Sequence, residues 1–208
     1  ILPSYDAELA MHGITTVFHC VGLAEIGEAT KSLRTREIAT KIVYDLNEFA
    51  PKALLRTKIH LRYEITDVQS LTLLEKMVEE KSVDLVSIMD HTPGYGVFKD
   101  LAAYRDYYLR SGQSVEAADK KFEKLTELRE SIDEGALKGL VTHCLDHGLT
   151  VVSHDDHTAE KLQWALDLGV SIAEFPVTIE AVDYAREKGM MTVFGSPNLV
   201  RGKSHAGN

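Results

Sequence analysis

Cysteine is scarce in this chain, with two residues, Cys20 and Cys144, among 208. The two lie far apart and neither belongs to a CxxC pair. The sequence therefore provides neither a disulfide framework nor a zinc site made of cysteine thiolates. We expect both thiols to be buried in the core of a protein from a reducing compartment.

Long apolar runs and an excess of basic charge are also missing. The chain has no stretch of about 18 uncharged apolar residues, and its opening residues, ILPSYDAELAMHG, lack the basic start and apolar middle of a secretory signal. The 32 acidic residues outnumber the 23 lysines and arginines and give a net charge of -9, whereas nonspecific nucleic-acid binding needs a basic surface. These absences predict a cytoplasmic enzyme or binding protein that binds neither membranes nor nucleic acid.

Six short apolar runs, rich in β-branched residues, alternate with helical patterns along the chain. The runs are GITTVFHCV, KIHLRYEI, VDLVSIMDH, LTVVSHDD, VSIAEFP and MMTVFGSPN. This alternation predicts a parallel sheet covered by helices, either a barrel or a doubly wound sheet. The barrel is favoured because polar residues follow nearly every run, where barrel active sites are built. We expect a single α/β domain over residues 1–208, an incomplete (β/α)8 TIM-type barrel.

Local patterns support these repeated units. Thr158 and Thr178 each precede a helical run that ends at a glycine, so both threonines are predicted N-caps. The segment HGITTVFH, residues 12–19, resembles HGLTVVSH, residues 147–154. The similarity predicts two equivalent units in which a helix ends at His-Gly and the following strand ends on a histidine.

One long segment, from about residue 92 to residue 140, interrupts the alternation. It begins with the loop HTPGYGVFKD and continues as charged, mostly helical chain. An insertion over the strand ends could form a lid or one wall of a substrate site. The alternative for its charged run, residues 120–134, is a solvated helical excursion that takes no part in the site.

Side chains with ligand or acid-base chemistry follow the predicted strands, most densely in VVSHDDHT, residues 151–158. Because the carboxyl ends of parallel strands lie at one edge of the sheet, we expect these side chains to converge. The expected set is His19, Glu64, Asp90, His91, His154, Asp155, Asp156, Glu174 and Asn198. Imidazole and carboxylate groups suit a divalent metal such as Zn, Mn or Ni.

Several members of this set also have simpler interpretations. His19 could be a core histidine, and Glu64 could belong to the polar face of an alternating strand. Asp90 is followed by Thr-Pro-Gly, where turn chemistry by itself favours aspartate. Asp155 or Asp156 could cap the helix that follows.

The last segment, GSPNLVRGKSHAGN, combines glycine, serine and asparagine with Arg201, Lys203 and His205. Backbone amides in such a loop, together with fixed cations, can cradle a phosphate group. Barrel enzymes often bind phosphate after their late strands. The segment lacks the spacing of a Walker motif, so the prediction depends on the barrel context.

Four motifs occur in order along the chain: SIMDHTPG (residues 87–94), SHDD (153–156), AEFPVTIEA (173–181) and SPNLVRGKSHAGN (196–208). Together they resemble the PhnM family of amidohydrolase-superfamily enzymes in the carbon-phosphorus lyase pathway. That family hydrolyses α-D-ribose 1-methylphosphonate 5-triphosphate to the 5-phosphate and releases diphosphate. The resemblance covers essentially the whole chain. It implies a metal-dependent barrel with a helical insertion after strand 4, counting one strand upstream of Ile1.

The resemblance also implies roles for particular residues. His154 would be a metal ligand at the end of strand five, with Glu64 and His91 beside it in the metal set. Asp90, near the same metal, Asp155 or Asp156 would take the proton of the attacking water. The residues that would hold the triphosphate or the phosphonate are Asn198, Arg201, Lys203, Ser204 and His205. A small phosphorylated substrate and other proteins of the pathway are the implied partners.

The chain departs from the family pattern in three places. A His-x-Asp motif on the first barrel strand would lie upstream of Ile1, an aspartate after the eighth strand would lie beyond Asn208, and YGVF follows HTPG where the family has polar residues. We therefore expect this chain by itself to be inactive or nearly so, and unpaired strand edges to favour a homo-oligomer. The alternatives are another amidohydrolase, such as a deaminase or cyclic-amide hydrolase, and a noncatalytic phosphate-binding barrel fragment.

Overall fold

The computed structural model describes residues 1–25, 33–92, 94 and 101–202. Within these residues six strands form one sheet in the order β1-β2-β3-β4-β5-β6, and every neighbouring pair is parallel. The strands are β1 (Thr16–Leu23), β2 (Arg56–Glu64), β3 (Leu85–Met89), β4 (Thr150–His154), β5 (Ile172–Glu174) and β6 (Met191–Val193). Each overlaps one of the six apolar runs, and β1 and β2 extend beyond theirs, so the predicted parallel α/β sheet is confirmed.

Helices fill the connections between the strands. The described helices are α1 (Leu2–Met11), α2 (Arg36–Phe49), α3 (Leu71–Glu79), α4 (Leu101–Arg110), α5 (Val115–Glu130), α6 (Glu134–Asp146), α7 (Ala159–Leu168), α8 (Ile179–Glu187) and α9 (Ser196–Arg201). Short 3-10 turns span Ala50–Lys52 and Val68–Ser70. The hydroxyl of Thr158 accepts from the backbone N of Lys161 at 3.2 Å, and that of Thr178 accepts from the N of Ala181 at 3.1 Å. Both predicted N-caps are confirmed.

The strand order is compatible with part of a barrel. Every strand pairs with the strands that precede and follow it in the chain. A doubly wound sheet instead reverses its order at a switch point. Because crossover connections are right-handed, an order that runs in one direction places the connecting helices on the same face of the sheet.

The two faces of the sheet differ sharply in chemistry, as strand β2 shows. Ile59, Leu61 and Tyr63 belong to the main core, together with apolar side chains of α2, α3, α6, α7 and α8. His60, Arg62 and Glu64 alternate with them and therefore point to the opposite face. We call that opposite side the inner face, and its polar side chains make the candidate site.

The helical insertion packs as a separate unit. Helices α4 and α5 share a small cluster that contains Tyr104, Tyr108, Ala118 and Leu125. Helix α6 instead contributes Leu137, Leu140, Val141 and Cys144 to the main core. The predicted insertion, residues 92–140, therefore runs into a helix that covers the sheet. No helix of the described residues combines the length and apolarity needed to cross a bilayer.

The two cysteines have different environments. Cys144 is fully buried, as predicted. The prediction is wrong for Cys20, which is exposed and lies with its Sγ 3.6 Å from Nδ1 of His60. Cys20 points to the inner face of β1, and β1 is an edge strand of the described sheet, so the helices do not cover it.

Candidate metal centre and its polar surroundings

Three side chains at the carboxyl ends of β3 and β4 could hold a metal ion. His91, His154 and Asp155 each offer one ligand atom, and these atoms lie within 4.8 Å of one another. We call these three residues the metal group. His154 and Asp155 are buried and His91 is half-buried, so the ligand atoms are largely shielded from water.

Glu64, at the end of β2, orients the ring of His91. Nδ1 of His91 lies 2.6 Å from Oε2 of Glu64, and the backbone N of His91 donates to Oε1 at 3.3 Å. Because an ionised carboxylate can only accept, Nδ1 carries the proton and Nε2 keeps its lone pair. A carboxylate behind a metal-binding histidine fixes its orientation in this way. The predicted ligand Glu64 thus lies behind His91, outside the metal group.

The backbone turns sharply at Asp155, directly after β4. Its φ is +52°, in the left-handed region that aspartate tolerates better than most residues. Its backbone N donates to the carbonyl of Glu174 at 2.9 Å. In a regular strand Asp155 would face away from His154, but after this turn its Oδ2 lies 3.2 Å from Nδ1 of His154.

The metal group contains an unsatisfied polar atom. Nδ1 of His154 is buried and makes no hydrogen bond of good geometry among the described residues, although Oδ2 of Asp155 lies 3.2 Å away. Buried polar atoms rarely lack a partner, and such an exception calls for an explanation. Two imidazoles and a carboxylate are suitable ligands for Zn, Mn or Ni. The residues present therefore fit a divalent metal ion.

The other ring nitrogen of His154 belongs to a polar network on the inner face. Nη2 of Arg62 donates to Nε2 of His154. Oε2 of Glu174 lies 3.6 Å from the same nitrogen and accepts from the hydroxyl of Ser87 at 3.1 Å. Since Ser87 donates its proton to Glu174, its oxygen accepts from Nε2 of His60. Burial, together with the neighbouring Arg62 and His154, lowers the pKa of His60 to about 4.

Asp90 forms a separate cluster at the rim, after β3. Its Oδ2 accepts from Nε of Arg129 at 2.8 Å, and Nζ of Lys161 lies 3.9 Å away. Its Oδ1 accepts from the backbone N of Thr92 at 3.1 Å. We call Asp90, Arg129 and Lys161 the rim cluster. Arg129 belongs to α5 and its side chain is 17% exposed, so the solvated-excursion interpretation fails for this residue of the insertion.

Asp156 lies on the other side of the sheet from the metal group. It is fully buried, and its Oδ2 accepts from the hydroxyl of Ser153, which alternates with His154 and therefore points towards the helices. Burial raises the pKa of the Asp156 carboxyl. The carbonyl of Asp156 accepts from the backbone N of Val177 at 2.8 Å, so this residue joins the loops after β4 and β5.

His19 does not converge with the other strand-end residues, and that expectation is wrong. Val21 and Leu23 of β1 lie in the main core, and the alternation places His19 on the same helix-facing side. Its ring lies 6.2 Å from that of Tyr5 in α1, and burial lowers its pKa. A shift of one residue reverses the face of every side chain in a strand, so the segment 12–19 matches 147–154 in sequence but not in orientation.

The predicted phosphate cradle is only partly described. Asn198 and Arg201 lie in α9. Asn198 is half-buried and Arg201 is exposed. Lys203, Ser204 and His205 lie outside the described residues. The role of this segment therefore stays a prediction.

Sequence reasoning missed two residues at or beside the candidate site, Arg62 and Arg129. For Arg62 a signal was available, because His60, Arg62 and Glu64 alternate in a strand that is otherwise apolar at its centre. For Arg129 no local signal exists, since it is one of many charged residues in its run and its partner Asp90 is 39 positions away.

Comparison with known proteins gives one informative match. A scan against models of protein families finds none that matches. The α-D-ribose 1-methylphosphonate 5-triphosphate diphosphatase of Escherichia coli (strain K12) is 33% identical over 210 residues, which cover 100% of this chain and 55% of that protein. The chain thus spans about half the length of the curated relative that it matches. The resemblance inferred from the four motifs is confirmed.

Proposed function

The chain is homologous over its whole length to an α-D-ribose 1-methylphosphonate 5-triphosphate diphosphatase, and from this premise we propose that it carries part of the active site of a metal-dependent hydrolase of the amidohydrolase type. The reaction is hydrolysis of the triphosphate to the 5-phosphate, with release of diphosphate. The observation that carries the proposal is the grouping of His91, His154 and Asp155 within 4.8 Å at the ends of adjacent strands.

In this proposal the metal group holds a divalent ion, with Zn, Mn and Ni as the candidates. When bound, such an ion acts as a Lewis acid that lowers the pKa of water from about 15.7 towards about 7. His91 contributes Nε2, because Nδ1 is held by Glu64. His154 would contribute Nε2, with Arg62 shifting from that nitrogen when the ion binds, and Asp155 would contribute negative charge beside both imidazoles.

Of the three carboxylates predicted as general bases, Asp155 has the most suitable position. Its Oδ2 lies 3.2 Å from Nδ1 of His154 and 4.0 Å from Nε2 of His91. Asp90 is engaged by Arg129, and Asp156 faces Ser153 on the helix side of the sheet. We therefore assign acceptance of the water proton to the Asp155 carboxylate.

The proposed function is tested by diphosphate release from the triphosphate substrate. The complete gene product, stripped with a chelator and then supplied with Zn, Mn or Ni, is expected to release diphosphate only after metal is restored. Elemental analysis of the purified protein should find the metal, and a deaminase assay should be negative. Diphosphate release that persists without metal, or deaminase activity without diphosphate release, would contradict the proposal.

The alternatives predict different results in the same experiment. A deaminase or cyclic-amide hydrolase would bind the metal and leave the triphosphate intact. A noncatalytic phosphate-binding barrel would bind phosphate without metal or turnover. The homo-oligomer, the pathway partners and the cytoplasmic location stay predictions from the sequence.

A further inference from the structure

We propose that Arg62 is an anion-binding residue, and that it binds an oxygen of the phosphoric anhydride beside the metal group. The choice of anhydride rests on the proposed function. The existence of an anion site rests on the surroundings of Arg62 alone. No residue of β2 was expected to contact the substrate, so this site is distinct from the predicted cradle at residues 198–205.

The side chain of Arg62 is half-buried and lacks a carboxylate partner among the described residues. Its Nε is buried without a hydrogen-bond partner, and its Nη2 donates to the imidazole of His154. Two other half-buried arginines are paired with acids. Arg36 lies 3.1 Å from Glu25, and Arg129 lies 2.8 Å from Asp90.

Shielding a guanidinium from water without a counter-charge is costly. Glu174, which also lies near Nε2 of His154, has its Oε2 engaged by Ser87 at 3.1 Å. Ser87 is neutral, so Glu174 keeps its charge near Arg62, but no carboxylate of the described residues forms an ion pair with the guanidinium, and its Nε stays without a hydrogen-bond partner. An anion that enters the site satisfies the unpartnered Nε.

The neighbouring strand places no side chain of its own on the inner face beside Arg62. Gly22 of β1 is its register partner, so no side chain projects there from β1. The side chain of Arg34 crosses this position, with its Cγ 3.0 Å and its Nε 3.4 Å from the point where a Cβ of Gly22 would lie. A second guanidinium group thus passes over the same part of the sheet.

This arrangement suits a polyphosphate better than a single small anion. Guanidinium groups bind phosphoryl oxygens with paired, charge-assisted hydrogen bonds. Arg62 contacts a histidine of the metal group directly, so the oxygen that it binds belongs to the reacting end of the substrate. The structure therefore assigns the triphosphate, and not the phosphonate, to Arg62.

Calorimetric titration of the metal-free complete gene product with inorganic triphosphate tests the proposal. Replacement of Arg62 by Met should weaken triphosphate binding about tenfold to a hundredfold, and Arg62→Lys should retain part of the affinity. Arg56→Met is the matched control, because it removes the same charge at the opposite end of β2, where Arg56 is exposed and contacts Thr16. The control should change affinity by less than about twofold. Methylphosphonate should bind weakly and equally to all forms.

In the titration, either of two results would overturn the proposal: triphosphate affinity that Arg62→Met leaves unchanged, or no triphosphate binding by the unsubstituted protein. Thermal unfolding checks that the variants fold. If Arg62→Met does not fold, Arg62→Lys decides, because it keeps the charge and removes the paired donors. Triphosphate binding that depends on Arg62 in a protein without diphosphatase activity refutes the proposed function alone. Full diphosphatase activity in Arg62→Met refutes the anion site alone.

Discussion

The rim cluster and the metal group lie at the ends of neighbouring strands. Buried charges are paired with opposite charges in the rim cluster, whereas polar groups beside the metal group are left unpaired among the described residues. In the rim cluster the carboxylate of Asp90 meets Arg129 at 2.8 Å and Lys161 at 3.9 Å. Beside the metal group the cation Arg62 donates to the imidazole of His154. Nδ1 of the same ring makes no hydrogen bond of good geometry in the described part of the chain.

The difference separates structural from functional charge. Opposite charges that satisfy one another hold two pieces of the chain together, here the end of β3 and the helical insertion. Polar groups that the protein leaves unsatisfied cost stability unless a ligand completes them. We therefore expect substitutions in the rim cluster to affect folding first, and substitutions in the metal group to affect ligand binding first.

The largest expected effect is on stability, from Arg129→Met. Removal of this cation leaves Asp90 buried with Lys161 as its remaining cation, and breaking a buried ion pair costs about 3–5 kcal/mol of the free energy of unfolding. Urea denaturation measures the loss. Arg105→Met is the control, because its pair with Asp119 is exposed to solvent and therefore screened, so its loss should be clearly smaller. Equal losses in the two variants would remove the distinction between the rim cluster and a surface pair.

The second prediction concerns pH and the network beneath the metal group. Burial lowers the pKa of His60 from 6.5 to about 4, so folding favours its neutral form. The resulting stability is present above pH 6.5 and is lost as the pH falls towards 4, by roughly 3 kcal/mol at most. Unfolding measured across this range should show the loss, and His60→Gln should flatten it. A profile that His60→Gln leaves unchanged would count against a neutral His60.

The third prediction is loss of metal through His154→Asn. Since weakening a partner behind a ligand already costs about tenfold to a hundredfold in metal affinity, loss of a ligand should cost at least about a hundredfold. Competition with a chromogenic chelator measures this affinity. His147→Asn is the control, because His147 is exposed at the end of α6. Metal affinity retained by His154→Asn would exclude this histidine as a ligand.

The smallest expected effect comes from Glu64→Gln. This variant distinguishes a residue that orients a metal-binding histidine from a residue that binds the metal itself. The amide keeps the shape of Glu64 but loses the negative charge behind His91. Metal affinity should fall about tenfold, at the low end of the range for an orienting carboxylate. Glu187→Gln on the surface of α8 is the control. A fall as large as that of His154→Asn would indicate that Glu64 binds the metal itself.

Much of the fold could be predicted from local sequence patterns. Apolar runs of strand length and threonine caps depend on residues close in sequence, so the six strands and the caps at Thr158 and Thr178 could be predicted. His91 and His154 could be predicted to meet because parallel strands end at one edge. The resemblance placed Glu64 in the metal set, but the contacts of Glu64 with His91 and of Arg62 with His154 could not be predicted, since both residues come from another strand through a register that the sequence does not display.

The side of the sheet on which a side chain lies, and its orientation there, were harder to predict from the sequence. The expectation for His19 failed because a shift of one residue, invisible in the repeat, reversed its side. Asp155 depends on a single left-handed residue, with φ +52°, and Arg129 depends on how a helical insertion folds back. Each is a tertiary property, set by contacts between distant segments.

The consecutive strand order also determines the sequence in which strands can join the sheet during synthesis. Each new strand adds to the edge of the sheet left by the previous one, so the sheet can grow as the chain leaves the ribosome. His91 emerges before the insertion and His154 emerges after it. Arg129 precedes His154 in the chain, so the rim cluster can form while the metal group is still incomplete.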